Sequence, residues 1–134
     1  MHKLKKIDGI GKHYAELLHE TGLNYQEQFL EACGTRSKRK QICKQTGISP
    51  KLILKWTNHA DLARINGIGE EFAELLEKCG VDSVIELAHR RFDRLSESLH
   101  TTNEKFHLCG RTPGATMVKS WIEEAKRLPK VIHH

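Results

Sequence analysis

Ile7-Asp8-Gly9-Ile10-Gly11-Lys12-His13-Tyr14-Ala15-Glu16-Leu17-Leu18 returns 58 residues later as Ile65-Asn66-Gly67-Ile68-Gly69-Glu70-Glu71-Phe72-Ala73-Glu74-Leu75-Leu76. A copy this close marks an internal duplication, and a repeat governs how everything else is read. Two glycines one residue apart set a tight turn, because glycine takes positive φ without steric cost. The isoleucine between them points inward and anchors the turn. Past the second glycine the pattern is helical, with Tyr14, Leu17 and Leu18 on one face and Phe72, Leu75 and Leu76 on its counterpart. Gly22 and Gly80 supply the C-caps. Each copy is therefore a Gly-x-Gly turn opening a helix. The first amides of such a helix lack intrahelical partners and lie at its positive end, which suits an anion such as a phosphate.

Outward from the first turn, Lys3, Lys5 and Lys6 precede it, and Lys12 and His13 follow it. A helix over 12–21 leads to Asn24, read as the N-cap of a second helix with Glu27 in the capping-box place. A third helix starts near Thr35 or Ser37 and runs to Gly47, carrying a basic stripe of Arg36, Arg39, Lys40 and Lys44. This stripe is a secondary candidate for backbone contact. Ser49-Pro50 starts the helix of Trp56, which leads straight into the second turn, so residues 50–79 read as one complete unit of helix, hairpin and helix. After the helix over 70–79, Asp82 or Ser83 caps the next, with Glu86 completing a Ser-x-x-Glu box. Residues 90–111 suggest one or two short helices, and Thr112-Pro113 repeats the Ser49-Pro50 start. Met117, Val118, Trp121, Ile122 and Ala125 match Leu52, Ile53, Trp56, Thr57 and Ala60 in order. Hairpin one has almost no helix before it, so helix 113–128 is expected to fold back beside it. Burial of the unpaired apolar face would drive that closure, at ~1.5–3 kcal/mol for each large side chain.

The frame Ile-x-Gly-Ile-Gly-x-x-x-Ala-x-x-Leu-Leu resembles the hairpin of the helix-hairpin-helix superfamily. The motif covers about 12 residues per copy, and a looser resemblance that includes the Trp helices extends over nearly the full length. The whole chain looks like a small stand-alone tandem member of a bacterial type of largely unassigned individual function. The fold expected is all-α: a duplicated helix-hairpin-helix, a SAM-like helical bundle with quasi-two-fold symmetry. It would form a single compact domain over 1–134, made of repeats at about 1–64 and 65–134. In this superfamily the hairpin amides contact a DNA phosphate without reading bases. The resemblance places such contacts on the amides of Gly9, Gly11, Lys12 and His13, and of Gly67, Gly69, Glu70 and Glu71. Some relatives hold a monovalent cation on hairpin carbonyls, which maps to Lys5, Ile7 and Ile10.

A chain of 134 residues, 38% apolar and 29% charged, is long enough to bury a core without staples. It has no apolar run approaching the ~20 residues of a membrane span, and its basic start lacks the apolar stretch of a signal peptide. The compartment expected is the cytoplasm. Cys33, Cys43, Cys79 and Cys109 form no Cys-x-x-Cys pair, which gives zinc ribbons and redox motifs no support. They read as reduced and mostly buried. No metal site is expected, and no cofactor apart from the monovalent cation implied by the resemblance.

Charge separates the two copies. Residues 1–64 carry 12 Lys and Arg against 6 Asp and Glu, whereas residues 65–134 carry 10 against 11. A basic half suits a polyanion. Lys12 and His13 follow the first turn where Glu70 and Glu71 follow the second. Carboxylates there complement the helix dipole but repel a phosphate, by up to ~4 kcal/mol per like-charge pair at a surface dielectric, more than a neutral amide hydrogen bond returns. Gly67, Ile68 and Gly69 are thus expected to be structural, or to meet a protein. Gly9, Ile10, Gly11, Lys12 and His13, with Lys5 and Lys6, form the nucleic-acid candidate. The function expected is non-enzymatic, sequence-independent DNA binding. The alternative is a protein-interaction adaptor that docks a partner through the acidic second half. DNA glycosylases among helix-hairpin-helix relatives need a base-flipping pocket with a catalytic Lys or Asp, and no residue here is assigned to either.

Overall fold

The two Gly-x-Gly turns adopt one backbone geometry. In the computed structural model, which describes residues 2–7 and 9–134, Gly9 has φ of 90° and Gly67 of 93°. Met1 and Asp8, the latter within the quoted first turn, lie outside the described residues. The amide of Ile10 donates to the Ile7 carbonyl at 3.1 Å, and that of Ile68 to Ile65 at 3.1 Å. One turn earlier, Ile7 donates to Leu4 and Ile65 to Leu62, at 3.0 and 3.1 Å. All six of these residues are buried, so each turn is pinned to a core by its apolar side chains.

Eight helices follow among the described residues, with no strand: α1 Lys12–Glu20, α2 Gln26–Ala32, α3 Arg36–Thr46, α4 Pro50–Leu62, α5 Glu70–Lys78, α6 Val84–Ala88, α7 Phe92–Phe106 and α8 Ala115–Arg127. A short 3-10 turn at Leu4–Lys6 precedes them. Most ends carry their expected signals. Gly22 and Gly80 take positive φ, and the residue after each closes a six-residue turn, Leu23 to Leu18 and Val81 to Leu76. Thr35, Ser49 and Ser83 accept from the amides of Lys38, Leu52 and Glu86.

Four local expectations change. Tyr25, not Asn24, precedes α2, and Gln28 rather than Glu27 reaches back to accept from the Asn24 and Tyr25 amides. The Glu86 side chain turns to Arg90 at 3.0 Å instead of closing a capping box. Residues 92–106 form one fifteen-residue helix, ended by His107 at φ of 52°. The last helix begins at Ala115 behind Gly114, two residues later than Thr112-Pro113 implied.

The chain divides into two compact units. One holds residues up to Asp61 together with Val131–His134; the other is Leu62–Lys130. In the first, Trp56 of α4 is fully buried with Ile7, Ile10, Leu18 and Phe29. Its ring lies 5.1 Å from that of Tyr14, and its indole N–H has no partner among the described residues. In the second, α6 and α7 pack on α8, and Trp121 is buried with Ile65, Ile68 and Leu75, 5.3 Å from the Phe72 ring. Each Trp helix thus closes on the hairpin that precedes it in its own unit. Residues 50–79 do not form the expected unit, and the helix containing Trp121 covers hairpin two, not hairpin one.

Glycine is required at both turns. A side chain at φ near +90° costs ~1–2 kcal/mol. A Cβ at Gly9 would lie 3.5 Å from Trp56 Nε1, an ordinary contact, but at Gly67 only 3.2 Å from Trp121 Nε1. Urea melts should therefore rank Gly67→Ala as more destabilising than Gly9→Ala, with Gly9→Ala costing ~1–2 kcal/mol.

Candidate nucleic-acid interface

Hairpin one delivers a bare helix N-terminus to the surface. Gly11 is the N-cap of α1, at φ −79° and ψ −175°, with no side-chain cap. No group among the described residues accepts from the amides of Gly11, Lys12 or His13. Any residue can hold this Gly11 backbone, and a Cβ there would meet nothing within 4 Å. Neither conformation nor internal packing calls for a glycine, so what its missing side chain leaves open is approach from outside. Lys5, Lys6, Lys12 and His13 are all exposed, and Lys5 and Lys12 line one groove with Gly11. No acidic residue occupies the first turn of α1.

Ile10 falls out of the contact set. Its side chain is 3% exposed, and its amide is engaged by the Ile7 carbonyl. It builds the turn and offers no donor to a phosphate. That same bond takes up part of the Ile7 carbonyl, one of the three positions mapped for a cation.

The second hairpin has the same frame and the opposite charge. Gly69 is again an uncapped glycine with open space beyond it, but Glu70 and Glu71 fill the first turn of α5. A third carboxylate joins them: Glu124 of α8 accepts from the Asn66 amide at 3.1 Å. Sequence reasoning missed Glu124. The signal was there, since it stands three residues after Trp121 on the helix that covers this hairpin.

The basic stripe on α3 is partly internal. Arg36, Lys40 and Lys44 are exposed. Arg39 is buried, and its guanidinium donates to the carbonyls of Cys33 and His133, both at 3.0 Å. Burial lowers its pKa, opposed by the field of Cys33. It clamps the C-terminal segment, where the His133 amide also donates to the Gly34 carbonyl at 2.7 Å and Ile132 enters the core. A Cβ at Gly34 would stand 2.8 Å from the Val131 carbonyl, so glycine is needed there for close approach. Arg39 is therefore removed from the candidate contacts.

All four cysteines are free thiols; Cys33 and Cys109 are buried, and Cys43 and Cys79 half-buried. Burial pushes the Cys33 thiol up to about 12, despite the Thr57 hydroxyl and the Arg39 charge, and an un-ionised thiol is a poor nucleophile. Among the described residues, no group of three or more His, Cys, Asp and Glu could hold a metal ion, and no helix is long and apolar enough to cross a membrane.

A family model described as a domain of unknown function, DUF4332, matches residues 3–128. No curated protein and no solved structure matches the chain.

Proposed function

The chain belongs to the DUF4332 family, and from that footing we propose that it is a tandem helix-hairpin-helix protein that binds nucleic acid, DNA in the first instance, without sequence preference and without catalysis. The observation that carries this reading is the first helix N-terminus. Its amides are unengaged among the described residues, its N-cap glycine faces open space, Lys5 and Lys12 line one groove with that glycine, and Lys6 and His13 are exposed. The recurrence of the turn hydrogen bonds at a 58-residue offset supports the tandem description. A phosphate bound there touches backbone amides and lysines, which position a strand but read no base. Arg36, Lys40 and Lys44 extend the positive surface of the same unit.

Fluorescence anisotropy with a labelled random oligonucleotide of about 20 nucleotides tests the proposal. Two to four neutralised phosphates give a slope of log affinity against log salt of about −2 to −4, with micromolar or weaker affinity. Folded protein that shows no binding at about 20 mM salt would overturn it, because the electrostatic term is strongest there.

The second unit favours a different partner. Glu70, Glu71 and Glu124 surround its hairpin, while Ile85, Phe92, Phe106 and Met117 are each 41–46% exposed. Carboxylates at this hairpin repel a phosphate, and exposed apolar side chains elsewhere on the unit suit a protein, so we assign the adaptor role to this unit alone.

A further inference from the structure

We infer that the groove beside hairpin one takes an unpaired nucleotide of a nucleic-acid strand, so that this site prefers single-stranded over duplex DNA. The inference rests on the nucleic-acid reading above and specifies its substrate.

The groove runs from the N-terminus of α1 along that helix to Tyr25, and encloses about 670 Å³. That falls in the ~300–1,000 Å³ range of sites that take small molecules. Its floor is apolar, formed by the buried side chains of Leu4, Ile10 and Leu23 with half-buried Ala15. Its rim is cationic, with exposed Lys3, Lys5 and Lys12 against one lining carboxylate among the described residues, Glu16. Gly11 lines the end of the groove that opens on the bare amides.

An occupant that is apolar on one side and anionic at one end suits this lining. A nucleotide has that shape and charge. A duplex does not present it: its bases are stacked inside, so a duplex can offer this unit only phosphates and leaves the apolar floor wet. An unpaired nucleotide lays its base on the floor, beside the Tyr25 ring, while its phosphate meets the Gly11 and Lys12 amides. Base–aromatic contacts tolerate every base, which agrees with binding independent of sequence. The corresponding positions of the second copy are acidic: Lys12, His19 and Asn24, all lining the groove, become Glu70, Glu77 and Asp82 at the 58-residue offset. The cationic rim belongs to the first copy alone.

The test is an anisotropy comparison of a labelled oligothymidine with a hairpin-closed duplex of equal phosphate count, using wild type and Ala15→Leu. Leucine at 15 fills the groove and leaves Gly11 and Lys12 untouched. Wild type should hold the single strand about tenfold tighter than the duplex. Ala15→Leu should bring the single strand down to the duplex value and leave duplex binding as it was. Equal affinities in wild type, or a single-strand advantage that survives Ala15→Leu, would overturn the groove assignment while leaving phosphate binding intact. Loss of all binding in wild type would instead defeat the nucleic-acid reading itself. Amide-shift mapping on wild type needs no variant to fold. The single strand should move Ala15, His19 and Tyr25, and the duplex only residues 9–13; identical maps overturn the assignment. Thymidine monophosphate as competitor separates a strand from a free nucleotide, since a monomer that binds as tightly as the strand would refute the choice of occupant.

Discussion

Trp121→Ala should destabilise the second unit by about 3–5 kcal/mol. The side chain is 1% exposed and sits among Ile65, Ile68, Leu75 and Val118, so its removal empties the centre of that core. It also takes away the aromatic contact with Phe72 at 5.3 Å, a pair of a kind worth ~0.5–1.5 kcal/mol beyond its area. The hairpin then loses its floor, because Gly67 rests against the indole edge. Set against total stabilities of ~5–15 kcal/mol for native domains, the loss consumes a large share. Urea denaturation followed by circular dichroism measures it, and hydrogen exchange locates it. Protection should fall first across residues 62–130, beginning at Ile65, Ile68 and Val81. A midpoint shift equivalent to under ~1 kcal/mol would mean that the hairpin is held by something other than this tryptophan.

The closure of each hairpin is where sequence and structure part. Turns and most helix ends are local, and they were legible: Gly-x-Gly spacing gave both turns, Gly22 and Gly80 gave C-caps, Ser49 gave an N-cap, and Thr35 and Ser83 were each one of two N-caps the sequence offered. The duplication itself pointed to two structurally similar turns. What the pattern does not encode is which apolar face meets which. The stripes of α4 and α8 are interchangeable as strings of side chains, so adjacency in sequence joined Trp56 to the hairpin after it, whereas packing joins it to the one before. Arg39 misled for a related reason. On a helix carrying Arg36, Lys40 and Lys44 it reads as one more solvated cation, and its acceptors are carbonyls at Cys33 and His133, the second 94 residues away. Residues 90–111 read as one or two short helices and form a single long one, α7, whose end at His107 carries no glycine signal. At the candidate site, the exposed charges were legible as a set, but the openness around Gly11, the engagement of the Ile10 amide and the groove along α1 depend on three-dimensional neighbours.

Lys12→Glu should weaken DNA binding at least about tenfold at ~50 mM salt, where screening is slight. Lys12 is the first residue of α1 and is exposed, so its ammonium and a phosphate held on the Gly11 amide share one small volume. The substitution turns an attraction into a repulsion worth up to ~4 kcal/mol at a surface dielectric, before screening. The effect on the fold has the opposite sign. A carboxylate at this position complements the helix dipole by ~0.3–1 kcal/mol, as Glu70 does at the same place in α5. The variant should therefore melt slightly later than wild type while losing its ligand, which removes unfolding as an explanation for the lost binding. Lys119→Glu supplies the control for net charge. Lys119 stands on α8 with its ammonium 5.5 Å from the centre of the Phe92 ring, and it belongs to the unit assigned to a protein partner. Its reversal changes the total charge by the same amount and should shift binding by less than about twofold. Equal losses in the two variants would show that the protein attracts DNA only through its overall charge, and hairpin one would then have no claim as a phosphate site.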